Sequence, residues 1–426
     1  MSTPETTLPA AQPTEHKLVR PAQWRNPILY GVFSLLLAYF VFTASGKTTF
    51  SVNTGTDFFD IPPFTLPARL TLAVLTLLAM AGTALVTWNE WRRVRTPIYV
   101  PIVVGVAFAL GFLTWVAAGT SGIITIVTLL AGTLAFSVPL IFGSLTGLIC
   151  ERSGTINIAI EGQLLTGAFL AAVVASHTSS PWIGLLAAPL GGILLALLLA
   201  LFTIKYRVDQ IVTGVVLNVL ALGLTGFLFS TVLTADRATW NTATPLPRLP
   251  IPGLHRLPII GPVFFNQTIL IYCMYVVVIV AQFMLFRSRW GLRMRACGEH
   301  PKAADTVGIK VNRTRFNNLV LAGALAGLGG AYFTIGSGLA FTKDISSGYG
   351  FIALAAMILG KWNPRGAVVA ALLFAFSKQL GYTLSNIGAG LPSELLLMVP
   401  YVITVLAVAG FVGKVRPPAA EGVPYP

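Results

Sequence analysis

The residues of this chain best suited to chemistry stand in one short stretch, Glu151-Arg-Ser-Gly-Thr-Ile-Asn-Ile-Ala-Ile-Glu161-Gly162, bounded on both sides by long apolar runs. On a helix, Asn157 and Glu161 are four residues apart and share a face. An amide and a carboxylate would then present together to a hydroxyl or to the polar edge of a base. The competing reading is structural, with Glu161 capping a helix start or pairing with Arg152. Glu151 and Arg152 read as an anchoring ion pair. Asn218, Lys378 and Glu394 are isolated in apolar segments. Asn218 reads as a helix-to-helix hydrogen bond, and Lys378 as a side chain carrying its amine toward an interface. Tyr349 and Phe351, with Phe341 and Trp362, offer ring faces for stacking, although aromatics of this kind more often form interfacial belts. Asn157, Glu161, Asn218, Tyr349 and Phe351 are therefore the candidate pathway residues. Cys150, Cys273, Cys297 and the four histidines are scattered, without disulfide spacing or metal-ligand company, so no catalytic or metal site is expected.

The elements that must position these groups are membrane helices. Of 426 residues 55% are hydrophobic and 10% charged, and the mean hydropathy is +0.80. Soluble domains carry about a quarter charged residues. The apolar runs approach the roughly 20 residues a span requires and show no two-residue alternation, so an all-α polytopic bundle is expected rather than a barrel. The net charge of +14 has a positional explanation. Placing the spans puts 21 of the 28 Lys and Arg on one side: the N-terminal tail, Arg92 to Arg95, Arg152, Lys205 and Arg207, Arg287 to Arg315, Lys361 and Arg365, and Lys414 and Arg416. Such a bias marks the cytoplasmic face and puts both termini there. No basic stripe carries interleaved aromatics, which argues against nucleic acid as a partner.

About 10–12 spans are expected, from twelve apolar segments near 28–44, 67–88, 98–118, 123–149, 163–177, 182–204, 210–233, 268–286, 317–336, 351–359, 366–384 and 393–412. The proline-rich stretch 234–267 reads as an extended outer strap. Segment 351–359 is too short to span and reads as a half helix ending at Gly360-Lys-Trp-Asn-Pro-Arg365. Two glycine-interrupted stretches, Ser153 to Gly162 and Ser347 to Ala355, then occupy comparable places in the two halves, the pattern of a repeat-built transport bundle with a site at broken helices. Gly323-Ala-Leu-Ala-Gly-Leu-Gly-Gly330 and Gly143-Ser-Leu-Thr-Gly147 read as close-packing seams. The expected organisation is a disordered cytoplasmic tail (1–27), extra N-terminal membrane segments (28–118), a core (119–414) whose largest inner loop is 287–316, and a C-terminal tail (415–426).

Within that loop Pro301 suits a first helical turn and Gly308 a stop, so a short helix lies on the inner face. The run Lys302-Ala-Ala-Asp305-Thr-Val-Gly308 resembles the Ala-Ala then Gly pattern by which permease subunits of ATP-binding-cassette (ABC) importers engage their ATPase, with Lys302 where that pattern often has Glu. Cys150 to Gly162 and Gly350 to Gly366 resemble permeases of the branched-chain amino acid, ribose and simple-sugar group, and within it those of nucleoside importers. The similarity runs roughly from Thr125 to Val412. It implies a nucleoside permease working with ABC ATPase subunits, a second and different permease chain, and an extracellular binding lipoprotein in a bacterial cytoplasmic membrane. Glu299, Pro301, Lys302, Ala303, Ala304, Asp305 and Gly308 would form the ATPase-coupling element. The residues agree in one respect: no Gly-x-x-x-x-Gly-Lys-Ser/Thr loop exists in the chain, so it is expected to bind no cofactor, ATP being bound by the partner. The alternatives are a simple-sugar or branched-chain amino acid permease, or a gradient-driven transporter using Glu161 or Glu394.

Overall fold

The computed structural model describes residues 24–386 apart from 54–56, 60, 98, 121 and 243, together with Met398 and residues 416–425. The apolar segment 393–412, apart from Met398, and Glu394 therefore lie outside the described residues, as does the tail before Trp24. In chain order the helices are α1 (Arg25–Thr43), α2 (Ala68–Trp91), α3 (Tyr99–Val116), α4 (Ile126–Arg152), α5 (Ile160–Thr178), α6 (Pro181–Ala200) and α7 (Gln210–Leu228), then a single turn α8 (Arg237–Trp240) and α9 (Ile269–Arg287). They continue with α10 (Arg289–Glu299), α11 (Pro301–Thr306), α12 (Val311–Ala331), α13 (Tyr349–Leu359) and α14 (Pro364–Asn386). Wider π turns prolong α6, α7 and α12 to Lys205, Leu233 and Gly336. Ten of these helices are long and apolar enough to cross a membrane, and α13 is a shorter apolar helix. The chain is an all-α polytopic bundle.

The chain divides into two compact units, one formed by residues 1–48 and 65–120 and the other by 49–64 and 121–426. In the first, Leu37, Phe40, Leu72 and Val104 form the core of a three-helix cluster. Its rings stack in pairs at 4.4 Å, Phe33 on Phe108 and Phe40 on Trp115.

In the second unit α4, α5 and α12 are the inner helices. Between 61% and 67% of their most apolar stretch is buried, against 28% for α7 and α9. Hydrophobicity cannot distinguish helix from lipid, so close approach must come from small residues. At Gly192 on α6 an added Cβ would overlap the Gly323 carbonyl; at Gly327 on α12 it would overlap that of Ala188, and at Gly330 that of Leu164 on α5. Gly323 to Gly330 is thus the seam of α5, α6 and α12. On α4, Gly143 and Gly147 receive Ala353 and Met357 of α13, at 2.7 and 3.0 Å from a notional Cβ.

Several boundaries differ from the sequence reading. The half helix starts at Tyr349 rather than Phe351, because the Gly348 backbone at φ +81° turns the chain directly into it. α12 begins at Val311, so Arg313 and Arg315 belong to the helix rather than to the preceding loop. The stretch 234–267 is folded rather than an extended strap: Arg248–Pro250 pairs antiparallel with Asn266–Thr268, and the buried Gln267 amide donates to the carbonyls of Pro262 and Val263. Its prolines interrupt helices without preventing this hairpin.

Replacing Gly192 with Ala is expected to destabilise the bundle by about 1–3 kcal/mol through overpacking. Gly223→Ala, in an α7 position where nothing lies within 4 Å of a Cβ, should be neutral or stabilising by up to about 1 kcal/mol. Thermal unfolding of both variants in one detergent checks the contrast.

Candidate functional site

The α4–α5 junction leaves Ser153 to Ala159 outside helices, within the bundle. Backbone groups there have no water to bond, so neighbouring side chains must satisfy them. One face of α7 does this. Gln210 accepts from the Ile156 N–H at 2.6 Å. Asn218 donates to the Ile158 carbonyl at 2.9 Å and accepts from the Gly162 N–H at 2.8 Å. Between them Gly214 lets the segment pass, a notional Cβ lying 3.0 Å from that of Ile158. The spacing 210, 214, 218 is the four-residue repeat of one helix face. Asn218 is therefore a backbone clasp rather than a generic helix-to-helix contact.

Asn157 and Glu161 do not share a helix face, since α5 begins only at Ile160. Asn157 is fully buried in the non-helical segment and donates to Gln163 Oε1 at 3.0 Å. Glu161 reaches the start of α13: Oε1 accepts from the Gly348 N–H at 2.8 Å and Oε2 from the Gly350 N–H at 2.5 Å. A carboxylate on two free amides at a helix N-terminus meets both the orphan donors and the positive end of the helix dipole. Gly350 is required by this approach, because a Cβ there would stand 2.5 Å from the Glu161 nitrogen.

The opposite end of α13 is held by the same stretch of chain. Glu151 accepts from the Trp362 indole N–H at 2.5 Å. Arg152 donates from Nε and Nη2 to the Trp362 carbonyl at 3.1 and 2.9 Å. The expected Glu151–Arg152 ion pair is replaced by two contacts to one tryptophan, whose own backbone sits at φ +51°. Tyr349 is buried, edge-on to Phe333 at 5.1 Å between ring centres, whereas Phe351 is 51% exposed.

The candidate coupling residues lie beyond α9 on α10 and α11. The His300 ring nitrogen Nδ1 caps α11 by accepting from the Ala303 N–H at 3.1 Å, and Gly308 leaves it at φ +83°. Ala304 is buried in a small cluster with Cys297 and Val311, while Lys302, Ala303, Asp305 and Gly308 are exposed and Val307 is 74% exposed. Glu299, the last residue of α10, accepts from the Ala419 N–H at 3.3 Å.

Sequence reasoning missed that the C-terminal tail docks here. Ala420 N–H donates to the Gly298 carbonyl at 2.8 Å, Gly422 N–H to that of Gly154 at 3.3 Å, and Tyr425 packs on the Cys297–Ala304–Val311 cluster. Buried Arg315 ties the three elements together, donating to the carbonyls of Ser153 at 3.2 Å and Val423 at 2.7 Å. Gln210 was also missed; its spacing of eight from Asn218 was the available signal. Arg315 had been visible only as one basic residue among many.

Helix breaks stitched by buried side chains, in a bundle of ten helices long and apolar enough to span, define the class: a polytopic membrane protein. The chain belongs to the family described as "Branched-chain amino acid transport system / permease component", which matches residues 129–408. It is 39% identical over 305 residues to the guanosine ABC transporter permease protein NupQ of Bacillus subtilis, covering 69% of this chain and 94% of that one. It is also 39% identical to the nucleoside ABC transporter permease protein NupC of Lactococcus lactis, covering 71% and 97% respectively. A putative glucose ABC transporter permease protein, TsgC13 of Haloferax volcanii, is 34% identical, covering 58% and 74%. No solved structure matches.

Two outcomes follow from this geometry. Glu161→Ala leaves the buried Gly350 amide and the part-buried Gly348 amide unpaired and should cost about 1–3 kcal/mol for the buried one and less for the other, read as a lowered unfolding midpoint with the α13 amides losing hydrogen-exchange protection. Burial beside Glu151 raises the Glu421 carboxyl above the usual carboxylate range, so the docked tail takes up protons that the free tail does not. Docking is then complete at acidic pH and weakens as pH rises through the elevated value. Carboxypeptidase trimming of the tail should accelerate over that rise, and Glu421→Gln should flatten the dependence.

Proposed function

We propose that this chain is the permease subunit of an ATP-driven importer of nucleosides. The observation that carries the reading is 39% identity over nearly the whole length of two permeases named for guanosine and nucleoside transport. The chain supplies part of a transmembrane pathway; ATP is bound and hydrolysed by partner ATPases, and the solute arrives from an extracellular binding lipoprotein. The second permease is a different chain. Supporting this, a second permease from each of the same two organisms, NupP and NupB, also resembles this chain, at 25% and 27% identity.

The end of the bundle carrying α10, α11, Arg152 and the tail faces the cytoplasm, as the positive-inside distribution requires, and both termini lie there. The ATPase engages Glu299 and the Pro301 to Gly308 segment through exposed Lys302, Ala303 and Asp305. Its motion reaches the stretch around Asn157, Glu161, Asn218, Tyr349 and Phe351, which turns the pathway from outward- to inward-facing. The glucose permease relative keeps a simple sugar as the second reading.

Vesicles reconstituted with the complete transporter should take up guanosine only with ATP. Uptake driven by an imposed ion gradient without ATP would establish a secondary transporter instead, and ATP-dependent uptake of glucose but not guanosine would establish the sugar reading. Reversing both exposed charges of α11, Lys302→Glu with Asp305→Lys, should abolish co-purification of the ATPase. Retained, transport-competent association would remove α11 from the coupling role.

A further inference from the structure

Lys378 is unexplained by the bonds that hold the helix breaks together. It lies on α14, fourteen residues past Pro364 in a helix of 23. At ~1.5 Å per residue that is about 21 Å from one helix end and about 12 Å from the other. A lysine carrying its charge to an interface would extend along the helix toward the nearer end. This one instead turns its ammonium onto two rings, 4.2 Å from the centre of Tyr349 and 5.8 Å from that of Phe136. No carboxylate of the described residues pairs with it. An ammonium at this depth with no counter-ion among the described residues is costly, and such groups mark solute routes.

Its surroundings are arranged for a flat, polar molecule. Tyr382, one turn further along α14, stacks on Phe136 of α4 at 5.5 Å with 23° between planes, and Tyr382 is 40% exposed. Tyr349 is fixed by the neighbouring Gly348 and Gly350 amides on Glu161 and by Phe333 edge-on. The cation is thus presented beside a stacked aromatic pair with one accessible ring, and its three N–H donors exceed what two ring faces occupy.

We propose that Lys378, with Phe136, Tyr349 and Tyr382, forms a solute-contacting subsite on the α4–α14 face, taking a heteroaromatic base that stacks on Tyr382 and accepts from the lysine at a keto oxygen or ring nitrogen. This rests on the nucleoside reading and names the part of the solute that is held. Glu161 and Lys378, two ionisable groups that approach Gly348 to Gly350, then divide the work. The carboxylate fixes the half helix, and the ammonium meets the solute.

The test uses the assembled transporter in proteoliposomes with ATPase, second permease and binding protein. Lys378→Met should lower the maximal guanosine uptake rate about ten- to hundredfold, the worth of one charge-assisted hydrogen bond. Lys378→Arg should recover most of that rate. Tyr382→Ala should lower it and Tyr382→Phe should not. ATP hydrolysis stimulated by the binding protein, and co-purification of the subunits, should be unchanged in Lys378→Met, a separation that a packing role would not produce. Wild-type uptake rates in Lys378→Met overturn the subsite, as does loss of stimulated hydrolysis in step with uptake. Failure of the wild-type transporter to move any nucleoside overturns the nucleoside reading itself, and the base subsite with it.

Discussion

The structure of the core depends on one carboxylate. Glu161 stands near the start of α5 and places each of its oxygens on a free amide of α13, those of Gly348 and Gly350. A helix that begins inside a membrane exposes unpaired N–H groups where there is no water to take them, and a buried carboxylate has the same difficulty with its charge. Each resolves the other. The arrangement dictates the local sequence: a left-handed turn at Gly348, and at Gly350 a residue without a side chain, because the Glu161 backbone fills that space.

The same requirement explains why the face of α7 turned to the break carries Gln210 and Asn218, eight residues apart, with glycine between them at 214. A break in a membrane helix is stable only if its orphaned carbonyls and amides are met one by one, and Gln210 and Asn218 meet Ile156, Ile158 and Gly162. Apolar residues of similar size would preserve packing and leave those backbone groups bare. The glycines perform the complementary task. Gly143 and Gly147 let α13 lie against α4 so closely that a half helix, with few residues to bury, still makes a full contact. Polar side chains hold the breaks, and absent side chains bring the helices within reach.

Much of this was legible in the sequence. The number and character of the spans follow from hydropathy, the half helix from its length, and the seam from glycine spacing, because each is a local property. The broken pair was visible as two polar, glycine-punctuated stretches. What could not be read was which residue of one stretch touches which of the other, since pairings across 187 and 211 positions leave no periodic trace. Glu161 in sequence suits both a solute contact and a structural cap, and Asn157, which the four-residue spacing places on its helix, lies three residues before that helix begins. Glu151 and Arg152 invited an ion pair because opposite charges were adjacent. The fold gave both to Trp362, a residue with a donor for the carboxylate and a carbonyl for the guanidinium. The docking of the C-terminal tail leaves little trace in its sequence, because its ten described residues have little hydrophobicity of their own and several of their bonds are made by backbone atoms, with Tyr425 the one large side chain packed on the cluster.

The short length of α13 has a mechanical consequence. Eleven residues bonded at both ends to the chain between Glu151 and Glu161 cannot tilt independently of that chain. At the same end of the bundle as Trp362, Arg315 bonds the Ser153 carbonyl and the tail, and the tail bonds Gly298 and Glu299 at the end of α10, immediately before α11. Hydrogen bonds joined by the covalent segment 151–161 therefore link the end of α10, next to α11, with both ends of α13, near the level where Lys378 and Tyr349 meet. Under the proposed function this continuity matters more than the strength of any one contact. A displacement imposed at α11 is passed through backbone carbonyls held by a planar guanidinium, whose fixed geometry resists shear better than a single ammonium would. Substituting lysine at Arg315 would keep the charge and lose one of the two simultaneous bonds, to the Ser153 or the Val423 carbonyl, that join the helix break to the tail.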